Sequence, residues 1–171
     1  MALFKTCKPS LLSKDGFIHA FADIYEHSPW VAEETYKQGI TPADDHVESL
    51  HKKMAAVLLR ADKASQLTLI LAHPDLAGKA AINGKLTQAS TSEQAGAGIG
   101  QCTAEEFEMF NDFNQRYKEK FEFPFIMAVK GANRFQILDA FEHRLDNAVE
   151  TEFSTALNEI NKIALFRLLE M

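Results

Sequence analysis

Phe123-Pro124-Phe125-Ile126-Met127-Ala128-Val129 is an apolar run without helical spacing. Taken alone it reads as one buried strand. A strand needs a partner, because an isolated extended segment leaves its N–H and C=O groups unpaired. No other convincing strand exists in the chain to supply one, and the flanking sequence is helical. Upstream, Thr103-Ala104-Glu105-Glu106 has the capping-box pattern that opens a helix. Phe107, Phe110, Phe113, Tyr117 and Phe121 follow at spacings of 3, 3, 4 and 4, a core-facing aromatic stripe. Downstream, Lys130-Gly131-Ala132-Asn133 makes a turn, and Phe135, Ile137, Leu138, Phe141 and Leu145 form the next stripe. A last helix is expected from about residue 150 to 169, with Phe153, Leu157, Ile160, Ile163, Ala164 and Phe166 inward.

The N-terminal half repeats the pattern. Asp15 opens a helix-like stretch with Phe17, Ile18, Phe21, Ala22, Ile24 and Tyr25 on one face, and Pro29 breaks it. Trp30 starts a short second helix that Gly39 should cap, and a core role is expected for the Trp. Val47, Leu50, Met54, Val57, Leu58 and Ala61 then mark a long stripe. His46 and His51 lie near it among charged neighbours and read as solvated groups. The sequence therefore predicts an all-α fold: a single compact domain over residues 1–171 with about seven or eight helices.

Composition narrows the function. The chain has 171 residues, 46% of them apolar, enough for a proper core. Its net charge of −6 gives it no general electrostatic reason to bind DNA or RNA, and no nucleic-acid partner is expected. Cys7 and Cys102 are too few for a disulfide scaffold, lack metal-type spacing, and are expected to stay reduced. No stretch of about eighteen or more apolar residues occurs, so no membrane span is expected. Residues 1–13 lack the apolar core of a secretion signal.

The chemistry concentrates in two stretches. Leu71-Ala72-His73-Pro74-Asp75-Leu76-Ala77-Gly78-Lys79 closes an apolar helix-like run that begins at Leu67. Pro74 disfavours the α region for His73, so the imidazole should sit where the backbone leaves the helix. Histidine is the side chain whose ordinary pKa lies nearest neutrality, so a positioned one can give or take a proton. The second stretch, Ser90-Thr91-Ser92-Glu93-Gln94-Ala95-Gly96-Ala97-Gly98, brings another proton-transfer group, Glu93. Both have bland readings. A His-Pro pair can simply terminate a helix, and Ser90 with Glu93 fits a capping box. Between residues 78 and 100 lie five of the chain's eight glycines, read here as a long loop able to approach a ligand closely. Lys79, Lys85 and Arg134 are basic residues near these stretches and read as surface charges.

In combination, the strings AHPDLAGK, SxxEQAGAG and FPFIMAV resemble the 2-oxo-4-hydroxy-4-carboxy-5-ureidoimidazoline (OHCU) decarboxylase family, which converts that urate breakdown product to S-allantoin. The resemblance runs over nearly the whole chain. It implies a cofactor-free carboxy-lyase acting on a small ureidoimidazoline, with stereospecific protonation and with no metal. It implies His73 as proton donor and Glu93 as its catalytic companion, either orienting His73 or binding substrate. Pro74, Ser90, Thr91, Ser92, Gln94, Phe125, Ile126, Met127, Ala128, Val129 and Arg167 are implied as substrate contacts. Residues 125–129 would serve through their main chain, and the 78–100 loop would wrap one side of the site. The resemblance also implies a homodimer. The chain ends Leu168-Leu169-Glu170-Met171, not in a peroxisomal Ser-Lys-Leu address, so a cytoplasmic location is expected. Without the resemblance, the residues leave open an enzyme acting on a related hydantoin ring and a non-catalytic helical binding module.

Overall fold

The computed structural model describes residues 1–78 and 86–171. Eight α-helices form among them: α1 Lys14–Phe21, α2 Trp30–Lys37, α3 Val47–Arg60, α4 Lys63–Ala72, α5 Gln88–Gly96, α6 Ala104–Phe121, α7 Arg134–Arg144 and α8 Val149–Glu170. Three short 3-10 turns accompany them, one before α1 and two between helices, and the described residues form no β-strand beyond an isolated bridge between Leu3 and His46. The fold is all-α, as the stripes predict. The chain divides into two compact units, Met1–Ala72 with Ile160–Met171, and His73–Glu159.

In the first unit, α1 begins one residue before Asp15 because Ser13 caps it, its Oγ accepting the Gly16 N–H at 3.1 Å. Phe17 and Phe21 are buried, 4.7 Å apart between ring centres. Gly39 follows α2 with φ of 92°, the left-handed conformation that ends helices and favours glycine. The α3 stripe is buried as expected through Val47, Leu50, Met54, Val57 and Leu58. Trp30 is only partly buried, less than a core role requires. His51 departs from the solvated reading. Its Nε2–H donates to the carbonyl of Asn161 at 2.7 Å, while Asn161 Oδ1 accepts from the buried hydroxyl of Tyr25 at 2.8 Å.

In the second unit, Thr103 and Glu106 form the capping box expected at the start of α6. Phe110, Tyr117 and Phe121 carry its stripe into an aromatic core. Phe125 stacks on Phe141 at 3.7 Å and meets Tyr117 edge-on at 5.3 Å. Such pairs add about 0.5–1.5 kcal/mol each beyond simple burial. Phe135 leaves the expected α7 stripe. It is exposed, and the Arg134 guanidinium lies 4.5 Å above its ring.

The largest departure from expectation is α5. The glycine-rich stretch reads as loop, yet Gln88–Gly96 is helical. Its cap is Thr87, whose side chain accepts the Ser90 N–H at 3.2 Å. Ser90 therefore lies in the first turn and is not the cap of a Ser90–Glu93 box. Lys79, Lys85 and the early part of the stretch lie outside the described residues.

Candidate active site

The His73 turn is built by the end of α4. The helix stops at Ala72, as Pro74 requires, and His73 opens the second unit with only 9% of its surface exposed. The turn is held by four side-chain hydrogen bonds from two helices. Gln94 Oε1 accepts the Ala77 N–H at 3.1 Å, and Gln94 Nε2 donates to the Asp75 carbonyl at 3.3 Å. Asn114 Nδ2, on α6, donates to the Leu76 carbonyl at 2.8 Å. Lys118 Nζ, one turn further along α6, pairs with Asp75 Oδ2 at 2.6 Å. Ala77 sits at φ 53°, a left-handed conformation that costs a non-glycine residue about 1 kcal/mol or more. The surrounding hydrogen bonds over-determine it.

The α5 helix sorts the second set of candidates by period. Ser90, Glu93, Gln94 and Ala97 fall at i, i+3, i+4 and i+7, one helical face. Ser90 and Gln94 are buried and Glu93 half-buried. Thr91 and Ser92 are exposed, and the Thr91 hydroxyl turns back to the Thr87 carbonyl at 2.9 Å. Gln94 thus ties the Ser90–Glu93 face to the His73 turn. An amide has two donors and two acceptor positions, so one of each remains on Gln94 beyond these two bonds.

The segment 123–129 stays outside any sheet, but the protein supplies several of its partners. Arg144 Nη1 donates to the Ile126 carbonyl at 2.7 Å. The Ala128 N–H donates to Glu159 Oε2 at 2.8 Å, and the Val129 carbonyl accepts from Ala132 N–H at 3.0 Å. The side chain of Phe125 belongs to the core, with Phe141 on one ring and the Arg144 guanidinium 4.2 Å from its centre.

Behind this segment lies a buried charged network. Arg144 Nη2 meets Glu152 Oε2 at 2.8 Å, and its Nε lies 3.0 Å from the same oxygen. Tyr117 donates its hydroxyl to Glu152, and Asn147 Nδ2 donates to it at 2.9 Å. Burial pushes the Glu152 carboxyl up, but the hydrogen bonds from Arg144, Asn147 and Tyr117 outweigh that and hold it below the usual carboxylate range. Burial, reinforced by the Glu152 charge, raises the Tyr117 phenol.

Arg167 belongs to the first unit. It is 8% exposed, pairs with the buried Glu26 Oε2 at 3.0 Å and donates to the Ile24 carbonyl at 3.2 Å. Arg134 is not a free surface charge: its Nε pairs with Glu106 Oε2 at 2.9 Å. Among the described residues no cluster of three or more His, Cys, Asp or Glu side chains is placed to hold a metal ion. No described helix is long and apolar enough to cross a membrane.

Sequence reasoning missed the residues that hold the candidate site: Asn114, Lys118, Arg144, Glu152 and Glu159. Asn114 did carry a signal, a polar residue on the same α6 face as Phe110, Tyr117 and Phe121, all of them buried. The others are charged residues in charged surroundings and carried none.

Comparison with known proteins shows which family the chain resembles. A relative from Haloferax volcanii named 2-oxo-4-hydroxy-4-carboxy-5-ureidoimidazoline decarboxylase is 42% identical over 159 residues, covering 93% of this chain and 90% of the relative. The uric acid degradation bifunctional protein of a Bacillus species is 40% identical over 160 residues, 94% of this chain but 30% of that protein. A crystal structure of (S)-allantoin synthase matches with a TM-score of 0.75 at 31% identity, over 95% of this chain and 52% of that one. A crystal structure of OHCU decarboxylase in the presence of (S)-allantoin matches in fold, with a TM-score of 0.70 at 21% identity, over 87% of this chain and 94% of that one. The family profile for OHCU decarboxylase matches residues 10–169, and the chain belongs to that family.

Proposed function

We propose that this protein decarboxylates 2-oxo-4-hydroxy-4-carboxy-5-ureidoimidazoline to S-allantoin and CO2 in urate degradation, without a cofactor. The substrate supplies its own electron sink. When the C–C bond to the carboxylate breaks, the electron pair passes into the adjacent ring C=N. The hydroxyl-bearing carbon becomes the ring carbonyl as its O–H proton leaves. The ring nitrogen that received the electron pair takes up a proton, and another arrives on the neighbouring carbon that bears the ureido group. The protein must hold the carboxylate out of the ring plane, stabilise the developing charge, and deliver that proton to one face.

His73 is the proton donor, and Glu93 either orients it or binds the ureido N–H groups. Ser90 and the remaining donor and acceptor of Gln94 meet polar ring atoms. Pro74 shapes the turn beside the imidazole. Ile126, Met127, Ala128 and Val129 contribute through their main chain, as does Phe125, whose side chain is core. Arg167 meets the anionic end of the substrate. Thr91 and Ser92 lie on the outer face of α5 and take no side-chain role. The working enzyme is a cytoplasmic homodimer with one catalytic domain in each subunit.

The observation that carries this reading is the pair of hydrogen bonds from Gln94, which join the α5 face bearing Ser90 and Glu93 to the turn bearing His73. The test is the rate of CO2 release from freshly generated OHCU. The expected result is a rate above the spontaneous one that scales with protein concentration. No acceleration of OHCU, with turnover of a hydantoin ring instead, overturns the reading.

A further inference from the structure

We infer that Arg144 and Glu159 are positioning residues for the reaction, which aim the main-chain N–H and C=O of Met127 by fixing the two peptide planes that flank it. The inference rests on the reading that residues 125–129 line the substrate site, and adds what orients them there.

No peptide bond among the described residues is cis. In a trans peptide the C=O of one residue and the N–H of the next point in opposite directions. Arg144 Nη1 draws the Ile126 carbonyl to itself at 2.7 Å, so the Met127 N–H points away from Arg144. Glu159 Oε2 draws the Ala128 N–H at 2.8 Å, so the Met127 C=O points away from Glu159. Met127 is left half-buried, and among the described residues neither its N–H nor its C=O has a hydrogen-bond partner. A segment in a sheet has its peptide planes set by the ladder. This one has no ladder, so two side chains do that work.

Arg144 is well placed to do it. Its guanidinium is locked by Glu152 on one edge and by the Phe125 ring on its face, and Glu152 is locked in turn by Tyr117 and Asn147. A planar fork held this way donates along a fixed direction. The pair it sets up, a donor and an acceptor on one residue, is the complement of a cyclic amide or ureido edge that offers C=O beside N–H. Binding through a pre-set main-chain pair fixes the ring, and hence the face the proton reaches.

The test compares Glu159→Ala and Glu159→Gln with wild type, each confirmed folded by far-ultraviolet circular dichroism. The readouts are kcat and KM for OHCU and the enantiomeric excess of the allantoin formed. Gln keeps an oxygen to accept the Ala128 N–H, and Ala does not. The expected result is a rise in KM of about tenfold with lowered enantiomeric excess for Glu159→Ala, and near wild-type values for Glu159→Gln. Arg144→Lys, which keeps the charge but loses the fork, should also lower enantiomeric excess. Wild-type KM and enantiomeric excess in folded Glu159→Ala overturn the inference and leave the decarboxylase reading standing. A wild-type protein inactive on OHCU overturns both.

Discussion

Replacing Gln94 with methionine should loosen the His73 turn without emptying the space its side chain fills. Methionine has nearly the same length and volume, so the change removes hydrogen bonds and little packing. Two main-chain groups lose their partners: the buried Ala77 N–H, at 3.1 Å from Oε1, and the part-buried Asp75 carbonyl, at 3.3 Å from Nε2. A buried group left unsatisfied costs about 1–3 kcal/mol, and the longer of these two bonds belongs at the low end. The loss is therefore about 2–4 kcal/mol, at a turn whose Ala77 already sits at φ 53°. Asn114 and Lys118 still hold Leu76 and Asp75, so the turn should loosen rather than unfold. Urea unfolding should show a lowered midpoint at unchanged slope. Turnover of OHCU should fall about 10–100-fold in kcat, because a misplaced proton donor is costly even when it is present. A variant with wild-type midpoint and wild-type kcat would refute the claim that Gln94 sets the position of His73.

Further outcomes follow from the same contacts. Gly78→Ala would place a Cβ 2.7 Å from the Asp75 Cβ, and Asp75 is held by Lys118, so thermal unfolding should show a loss of about 1–3 kcal/mol. Glu152 has a folded-state pKa held below its unfolded value of 4.5. Its contribution to stability is therefore fully present above that value and lost as the pH falls through the folded one. Denaturant titrations between neutral pH and the acid range should show that loss in wild type, and a smaller one in Glu152→Gln.

The helices that could be read from sequence are those whose burial is periodic. Val47, Leu50, Met54, Val57 and Leu58 announce α3, and Phe110, Tyr117 and Phe121 announce α6, because one face of each meets a core. The α5 helix could not be read this way. Its residues QASTSEQAG carry no apolar stripe, and what buries its inner face is the polar attachment of Gln94 to a turn seventeen residues earlier in sequence. The same limit applies to the candidate site. His73 was legible because Pro74 constrains it locally. The run from Phe123 to Val129 was legible as an extended segment lacking a partner strand. Its actual partners were not, since Arg144 lies 18 residues from Ile126 and Glu159 lies 31 from Ala128. Nothing local in a sequence encodes a side chain reaching back to a distant carbonyl. Phe135 errs in the other direction. It matches the periodicity of α7, yet it packs under Arg134 at the surface instead of in the core.

The central claim is that His73 delivers the proton that makes the product one enantiomer. OHCU decays unaided to racemic allantoin, so optical activity of the product separates catalysis from background. The decisive measurement generates OHCU in place from urate and follows the circular dichroism of the allantoin formed, with wild type and with His73→Ala. The account predicts rapid, optically active allantoin from wild type. From the variant it predicts a rate lower by about 100–10,000-fold, with product approaching the racemate. Slow racemic allantoin from both proteins, or optically active allantoin at the wild-type rate from His73→Ala, would contradict it.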